Sequence, residues 1–215
     1  MLSETTQAIL LLTAYFSKAA GMEVKPLTNK EWGKFAHWLK NQGLFPADLL
    51  RGDLKELLTG WSDSKITPER IQALLNRGSA LAVAVEKWSR AGLWVLTRSD
   101  SDYPKRLKHR LGNDAPPVFF GAGNRGLLNQ GGVAVVGSRN TSEDDLAFSR
   151  ALGEQAANEG LTIVSGGARG VDESAMLGAL EAEGTAIGVL ANDLLRAATS
   201  AKYRRHLMSN NLVLL

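Results

Sequence analysis

Cysteine is absent from the 215 residues, and histidine occurs only three times, at 37, 109 and 206. Without thiols there are no disulfides and no thiolate metal sites, and a reducing cytoplasm is the simplest setting. The three histidines fall in unrelated segments, whereas zinc or iron needs several nitrogen or carboxylate ligands converging, so neither a metal nor another cofactor is expected. Long apolar runs are lacking too. The stretch Ala8-Ile9-Leu10-Leu11-Leu12 follows an acidic residue instead of a basic one and has no small-residue cleavage pattern, which excludes a signal peptide. It is also far below the roughly 20 residues that span a bilayer. A soluble, cytoplasmic protein without membrane contact is the expectation.

What is present is an apolar fraction of 44%, enough for a real core, and a length that suits two domains. The net charge of +3 hides an uneven distribution. Lys and Arg outnumber Asp and Glu by 12 to 9 over residues 1–95 and by 6 to 3 over 96–125, then fall behind by 7 to 10 over 126–215. The basic excess is densest at Arg98, Lys105, Arg106, Lys108 and Arg110. Such a cluster suits a polyanion, although a solvated surface run has the same composition.

Residues 1–91 read as a small all-helical N-terminal domain. Ser3 caps a helix expected to reach about Ala19 and end at Gly21. Thr28 with Glu31 forms a capping box ahead of Trp32, Phe35, Trp38 and Leu39. Residues 53–61 suit a short helix, Thr67-Pro68 opens another, and residues 79–90 close the bundle. Such a module can bind DNA, dock a partner or cap the next domain. Leu75-Asn76-Arg77-Gly78 can be read as a helix-hairpin-helix turn that contacts phosphates.

From residue 92 to 215 the pattern changes to short apolar runs alternating with helices, the mark of an α/β, Rossmann-like parallel sheet with helices on both faces. Strands are expected at 93–96, 118–120, 133–136, 161–164, 185–190 and 212–215, with helices at 143–159, 171–182 and 193–208. Ligands of such folds bind at the carboxyl ends of the strands. The search therefore narrows to the turns after Val136, Val164 and Leu190.

The first turn is Gly137-Ser138-Arg139-Asn140-Thr141. Its glycine lets a ligand approach the backbone, Ser138 offers a hydroxyl, and Arg139 offers a planar fork that grips phosphate with two hydrogen bonds. The second is Ser165-Gly166-Gly167-Ala168-Arg169-Gly170, in which consecutive glycines free backbone N–H groups to line an anion-binding concavity. At neighbouring strand ends the two turns make one shared phosphate site of Gly137, Ser138, Arg139, Ser165, Gly166, Gly167, Arg169 and Gly170, with Lys105, Arg106, Lys108 and Arg110 as auxiliary cations. The acidic trio Glu143, Asp144 and Asp145 counts against it, because carboxylates in a helix's first turn satisfy the dipole that an anion would use. Asp172 and Glu173 raise the same question, with pairing to Arg169 or acceptance from a ribose or base as their alternatives.

Two motifs are set aside. Gly121-Ala122-Gly123-Asn124-Arg125-Gly126 matches G-x-G-x-x-G but leaves room for barely one helical turn before Gly131-Gly132, so it reads as a loop. No P-loop is present. Ser138 and Ser165 have no histidine near them in sequence, and no catalytic residues are assigned.

The strings Val133–Arg139 and Ser165–Asp172, together with Tyr103-Pro104-Lys105-Arg106-Leu107 and Pro116-Pro117-Val118-Phe119-Phe120-Gly121, resemble four ordered landmarks of the DNA-processing protein A (DprA/Smf) family over about residues 93–190. The resemblance implies an extended Rossmann-like fold that binds single-stranded DNA in a basic pocket, forms a homodimer and helps load the RecA recombinase in natural transformation and recombination. It makes Arg139 the principal phosphate ligand, with Gly137, Ser138 and Ser165–Gly167 supplying backbone and hydroxyl donors. It also implies further loops, strands and helices beyond the final strand, so that the C-terminal part of the domain is expected to be missing here. Met176 stands where the family commonly has histidine, and the acidic trio replaces small residues.

The alternative is a nucleotide sensor or nucleoside-monophosphate-cleaving enzyme on the related lysine-decarboxylase-like fold. That class needs a Pro-Gly-Gly-x-Gly-Thr-x-x-Glu type of turn, which this sequence lacks. A third reading is an interaction module with a vestigial site. Tyr203 is a candidate for base stacking or for helix packing.

Overall fold

A computed structural model describes residues 2–16, 24–191 and 193–215. The described residues divide into two compact units, 1–87 with 96–119 and 88–95 with 120–215. The division is not a single cut in the chain, because residues 96–119 pack with the N-terminal helices.

In the first unit, α1 (Glu4–Thr13) starts where the Ser3 hydroxyl accepts the Thr6 N–H. The helix stops short of the expected end near Ala19: Ala14 is already extended, with φ −102° and ψ 151°, and residues 14–16 are not helical. Gly21 lies outside the described residues. Helix α2 (Asn29–Asn41) carries the full capping box of Thr28 and Glu31. Arg70 donates to both Glu31 oxygens, at 2.9 and 3.2 Å, and holds that carboxyl below the usual carboxylate range. Asp53 caps a shorter helix than the sequence suggests, α3 (Leu54–Leu57), and α4 (Pro68–Leu75) begins at the Thr67-Pro68 signal. Helix α5 (Gly78–Arg90) follows. Phe35 lies within 6.4 Å of Trp32, 6.2 Å of Trp38 and 5.1 Å of Trp61, so aromatic edges and faces bind α2 to the loop before α4.

Arg77, the cation of the proposed hairpin, turns inward. Its guanidinium donates to the Leu74 carbonyl at 3.2 Å and to the Leu11 carbonyl, and lies over the Phe16 ring. Those contacts fasten α1 to the α4–α5 corner, and burial lowers the guanidinium's pKa. An arginine used in this way does not reach a phosphate, and the hairpin reading falls with it. The unit is completed by the second half of β1 (Trp94–Thr97), by α6 (Lys105–Leu111) and by the start of β2 (Val118–Gly123). Tyr103 is buried in it, with its hydroxyl donating to the Pro116 carbonyl at 2.7 Å.

The second unit holds β3 (Val133–Ala134), α7 (Glu143–Asn158), β4 (Ile163–Ser165), α8 (Val171–Glu181), β5 (Ala186–Gly188), α9 (Leu194–Thr199), α10 (Ala201–Met208) and β6 (Leu212–Leu214). The single helix expected over 193–208 is two. Ser200 is extended, and the Thr199 and Ser200 hydroxyls bond back to the carbonyls of Leu195 and Ala197, competing with the helical ladder.

The strand order is β1-β2-β6-β5-β4-β3. Strands β3 to β6 are parallel in chain order, whereas β2 meets β6 antiparallel through Ala122↔Leu214 and Gly123↔Val213. The sheet is thus mixed, and the G-x-G-x-x-G segment is strand β2 running into a 3-10 turn, Arg125–Asn129. Helical cover is unequal on the two faces. Ile163, Ala186, Leu212 and Leu214 share a core with Ala156, Met176, Ala179 and Tyr203 of α7, α8 and α10. Ile187 and Val213, on the alternate face, pack on Leu127 of the 3-10 turn, with Trp94 against them. The period of two along each strand produces that partition.

Candidate functional site

Because β3 and β4 are adjacent and parallel, the turns that follow them emerge side by side at the carboxyl end of the sheet. Val135 continues the pairing by donating to the Val164 carbonyl at 2.9 Å, and the chain then turns at Gly137. The two turns touch directly. Val171 N–H donates to the Ser138 carbonyl at 3.2 Å, and Gly170 lies against that same carbonyl. At Gly170, φ is +100°, and a Cβ there would overlap Ser138, so the close approach requires glycine.

Asp172 ties the turns together. It is 6% exposed, and its carboxylate accepts the Gly137 N–H at 3.0 Å on one oxygen and the Gly166 N–H at 3.1 Å on the other. One side chain in the first turn of α8 therefore fixes the starts of both glycine-rich turns. Neither alternative considered for Asp172 from the sequence matches this arrangement. It faces backbone rather than Arg169, and burial removes it from a ribose or base. The sequence signal was an aspartate two residues after a glycine that opens a helix, where backbone N–H groups lack helical partners.

The other site residues separate into two groups. Ser165 is buried, and its hydroxyl donates to the Val135 carbonyl at 2.6 Å, which stitches β4 to β3. Ser138 is exposed and closes a local turn with Asn140, accepting its N–H at 3.1 Å and donating to its carbonyl at 2.7 Å. In contrast, the N–H groups of Gly167, Ala168, Arg169 and Gly170 have no hydrogen-bond partner among the described residues. Gly167 has φ +64°, and a left-handed residue within such a run points successive N–H groups toward one concavity. Helix α8 begins there without a side-chain cap, but its Val171 and Glu173 N–H groups already bond to the Ser138 and Ala168 carbonyls, so the unpaired donors are those of the turn before it.

Arg139 and Arg169 are both exposed. The Arg139 side chain makes no hydrogen bond or ion pair among the described residues, and Arg169 reaches the Asn140 side-chain oxygen at a long 3.4 Å. Two of the acidic residues behind them are engaged, whereas Glu143 and Asp144 are exposed without a hydrogen bond or ion pair among the described residues. Asp145 completes a capping box with Ser142, whose hydroxyl and N–H hold its carboxyl below the usual range, and Glu173 pairs with Lys202. Tyr203 is buried on α10, so the packing reading applies to it and the stacking reading does not. Met176 packs in the core beside it.

The auxiliary cations lie in the first unit. Lys105, Arg106 and Arg110 line one exposed groove with His109, while Lys108 leaves that group and donates to the Arg98 carbonyl at 3.0 Å. Among the described residues no group of His, Asp or Glu is placed to hold a metal ion. Nor is any helix among them long and apolar enough to cross a membrane.

The profile of DNA recombination-mediator protein A matches residues 94–215, which includes both turns. The chain belongs to that family. Among relatives of this recombination-mediator family, protein Smf of Escherichia coli is 29% identical over 174 residues, covering 80% of this chain and 43% of its own length. DNA processing protein DprA of Streptococcus pneumoniae is 39% identical over 95 residues, covering 44% of this chain and 33% of its own. The X-ray structure of the Streptococcus pneumoniae protein superposes with a TM-score of 0.63 at 24% identity, over 87% of this chain and 62% of the other, a likeness of fold. The chain thus spans about half the length, or less, of the curated relatives it matches.

Proposed function

We propose that this chain is a non-enzymatic, DprA-type binder of single-stranded DNA, and that the joined turns 137–140 and 165–170 grip its phosphates. The observation that carries the reading is the Asp172 tie. It draws off the Gly137 and Gly166 N–H groups, and the unpaired N–H groups of 167–169 stand beside two exposed arginines. Backbone donors and guanidinium groups at one sheet end suit phosphate oxygens. Contacts of this kind carry no base information, which fits a protein that takes any single strand.

The test is binding of a labelled oligonucleotide across a salt series. Arg139→Ala and Arg169→Ala should weaken binding about equally on different sequences, each flattening the salt slope by about one unit. Parent-like affinity and slope in both variants refute the site. Handing the strand to a RecA-type recombinase as a homodimer, in transformation or recombination, is the further step that family membership supports. Its measure is RecA filament assembly on the same oligonucleotide, which the double variant should fail to stimulate.

A further inference from the structure

Apart from the paired turns, the first unit contains a cavity of about 460 Å³ whose lining has a one-sided charge. His37, Lys40, Arg98 and Lys108 border it, and no carboxylate does. The volume falls within the range of about 300–1,000 Å³ usual for small-molecule sites. Like charges normally spread apart on a surface, yet here the ammonium of Lys108 is anchored to the Arg98 carbonyl at 3.0 Å, which keeps it beside the residue that carries the guanidinium. Arg98 is only partly exposed, and its guanidinium has no hydrogen-bond or ion-pair partner among the described residues. Lys40 and Lys108 have no ion pair there either. A half-buried fork with its donors unused is a poor structural element and a good anion receptor.

The remaining lining adds an aromatic surface. Phe45 is 69% exposed, and its backbone is held at the start of a 3-10 helix, where its N–H donates to the Asp48 carboxylate at 2.7 Å. A large exposed ring in the lining of a cationic cavity presents a face for stacking. Asn113, also exposed, brings a side-chain amide able to donate and accept at a heterocycle's edge.

We infer that this cavity is a second nucleotide site, in which Arg98 and Lys108 take the phosphate and Phe45 stacks on the base. The ligand is an aromatic base carrying a phosphate, either as a free mononucleotide or as one unit of a single strand. The site goes beyond the paired turns and shares no residue with them.

The probes are dAMP, an oligo(dA) strand and inorganic phosphate, titrated into the full chain and into Arg98→Ala and Phe45→Ala, with folding checked by circular dichroism. Loss of a charge-assisted phosphate contact should weaken binding about tenfold, and loss of the stacking face about five- to tenfold. Parallel loss for dAMP marks a free nucleotide as the ligand, and loss confined to the strand marks a chain unit; either outcome supports the site. An unchanged Phe45→Ala, or inorganic phosphate competing as well as dAMP, overturns it, as does parent-like binding of both nucleotide probes by Arg98→Ala. Repeating the strand titration in the Arg139→Ala, Arg169→Ala background separates this site from the paired turns. The Arg98 effect persists there if the cavity acts by itself, and its disappearance there overturns the inference.

Discussion

Tyr103 and Tyr203 are both buried, and burial pushes both phenols up to about 12, with Glu173 adding to the effect at Tyr203. Their hydroxyls differ in one respect. Tyr103 donates to the Pro116 carbonyl, whereas the Tyr203 hydroxyl is buried without a hydrogen-bond partner. Tyr103→Phe should therefore destabilise the fold by about 1 kcal/mol, while Tyr203→Phe should be neutral or slightly stabilising. Urea denaturation of the pair checks the contrast, and equal losses would contradict the assignment. Asp172 supplies a second case at this scale. In Asp172→Asn one of two inward N–H groups faces an amide N–H instead of an oxygen, so stability should fall by about 1–3 kcal/mol. Amide exchange at Gly137 and Gly166 should rise together, because one carboxylate protects both. Faster exchange at only one of them would show that the turns are held separately.

Helices α7 and α8 set the position of the second turn, and their approach depends on small residues at the crossing. A Cβ on Gly153 would meet the Ala175 carbonyl, and a Cβ on Gly178 would meet that of Arg150. Backbone thus lies on backbone at two points. Helix propensity alone favours Gly→Ala by about 0.5–1 kcal/mol, but overpacking here should outweigh it, for a net loss of about 1–2 kcal/mol in Gly153→Ala or Gly178→Ala. A lowered denaturation midpoint measures the loss, and a raised one would mean that propensity governs. The capping signals at Ser3, Thr28 and Thr67 were legible in sequence because each cap bonds within three residues. The break at Ser200 was not, since serine is common enough inside helices.

At the scale of the whole molecule, the chain crosses between units more than once. Residues 96–119 bring buried Leu96, Tyr103 and Ala115 to the first unit. A fragment ending at residue 119 should therefore melt cooperatively, whereas one ending at residue 91 should melt earlier and with lower cooperativity. Thermal circular dichroism distinguishes them, and identical melts would restore a simple boundary near residue 91.

The sequence by itself determined the α/β alternation, the capped helices and the two glycine-rich turns, because periodicity and capping are properties of residues close together in the chain. It also placed Arg139 and Arg169 at strand ends. Only the tertiary structure decided that β2 joins β6 antiparallel, that Arg77 serves α1, and that the Ser165 hydroxyl is closed off while the N–H groups after it stay open. The common reason is long-range pairing. Gly137 and Asp172 are 35 residues apart in the chain, and the partner of a buried polar group at that separation is chosen by strand order and helix packing.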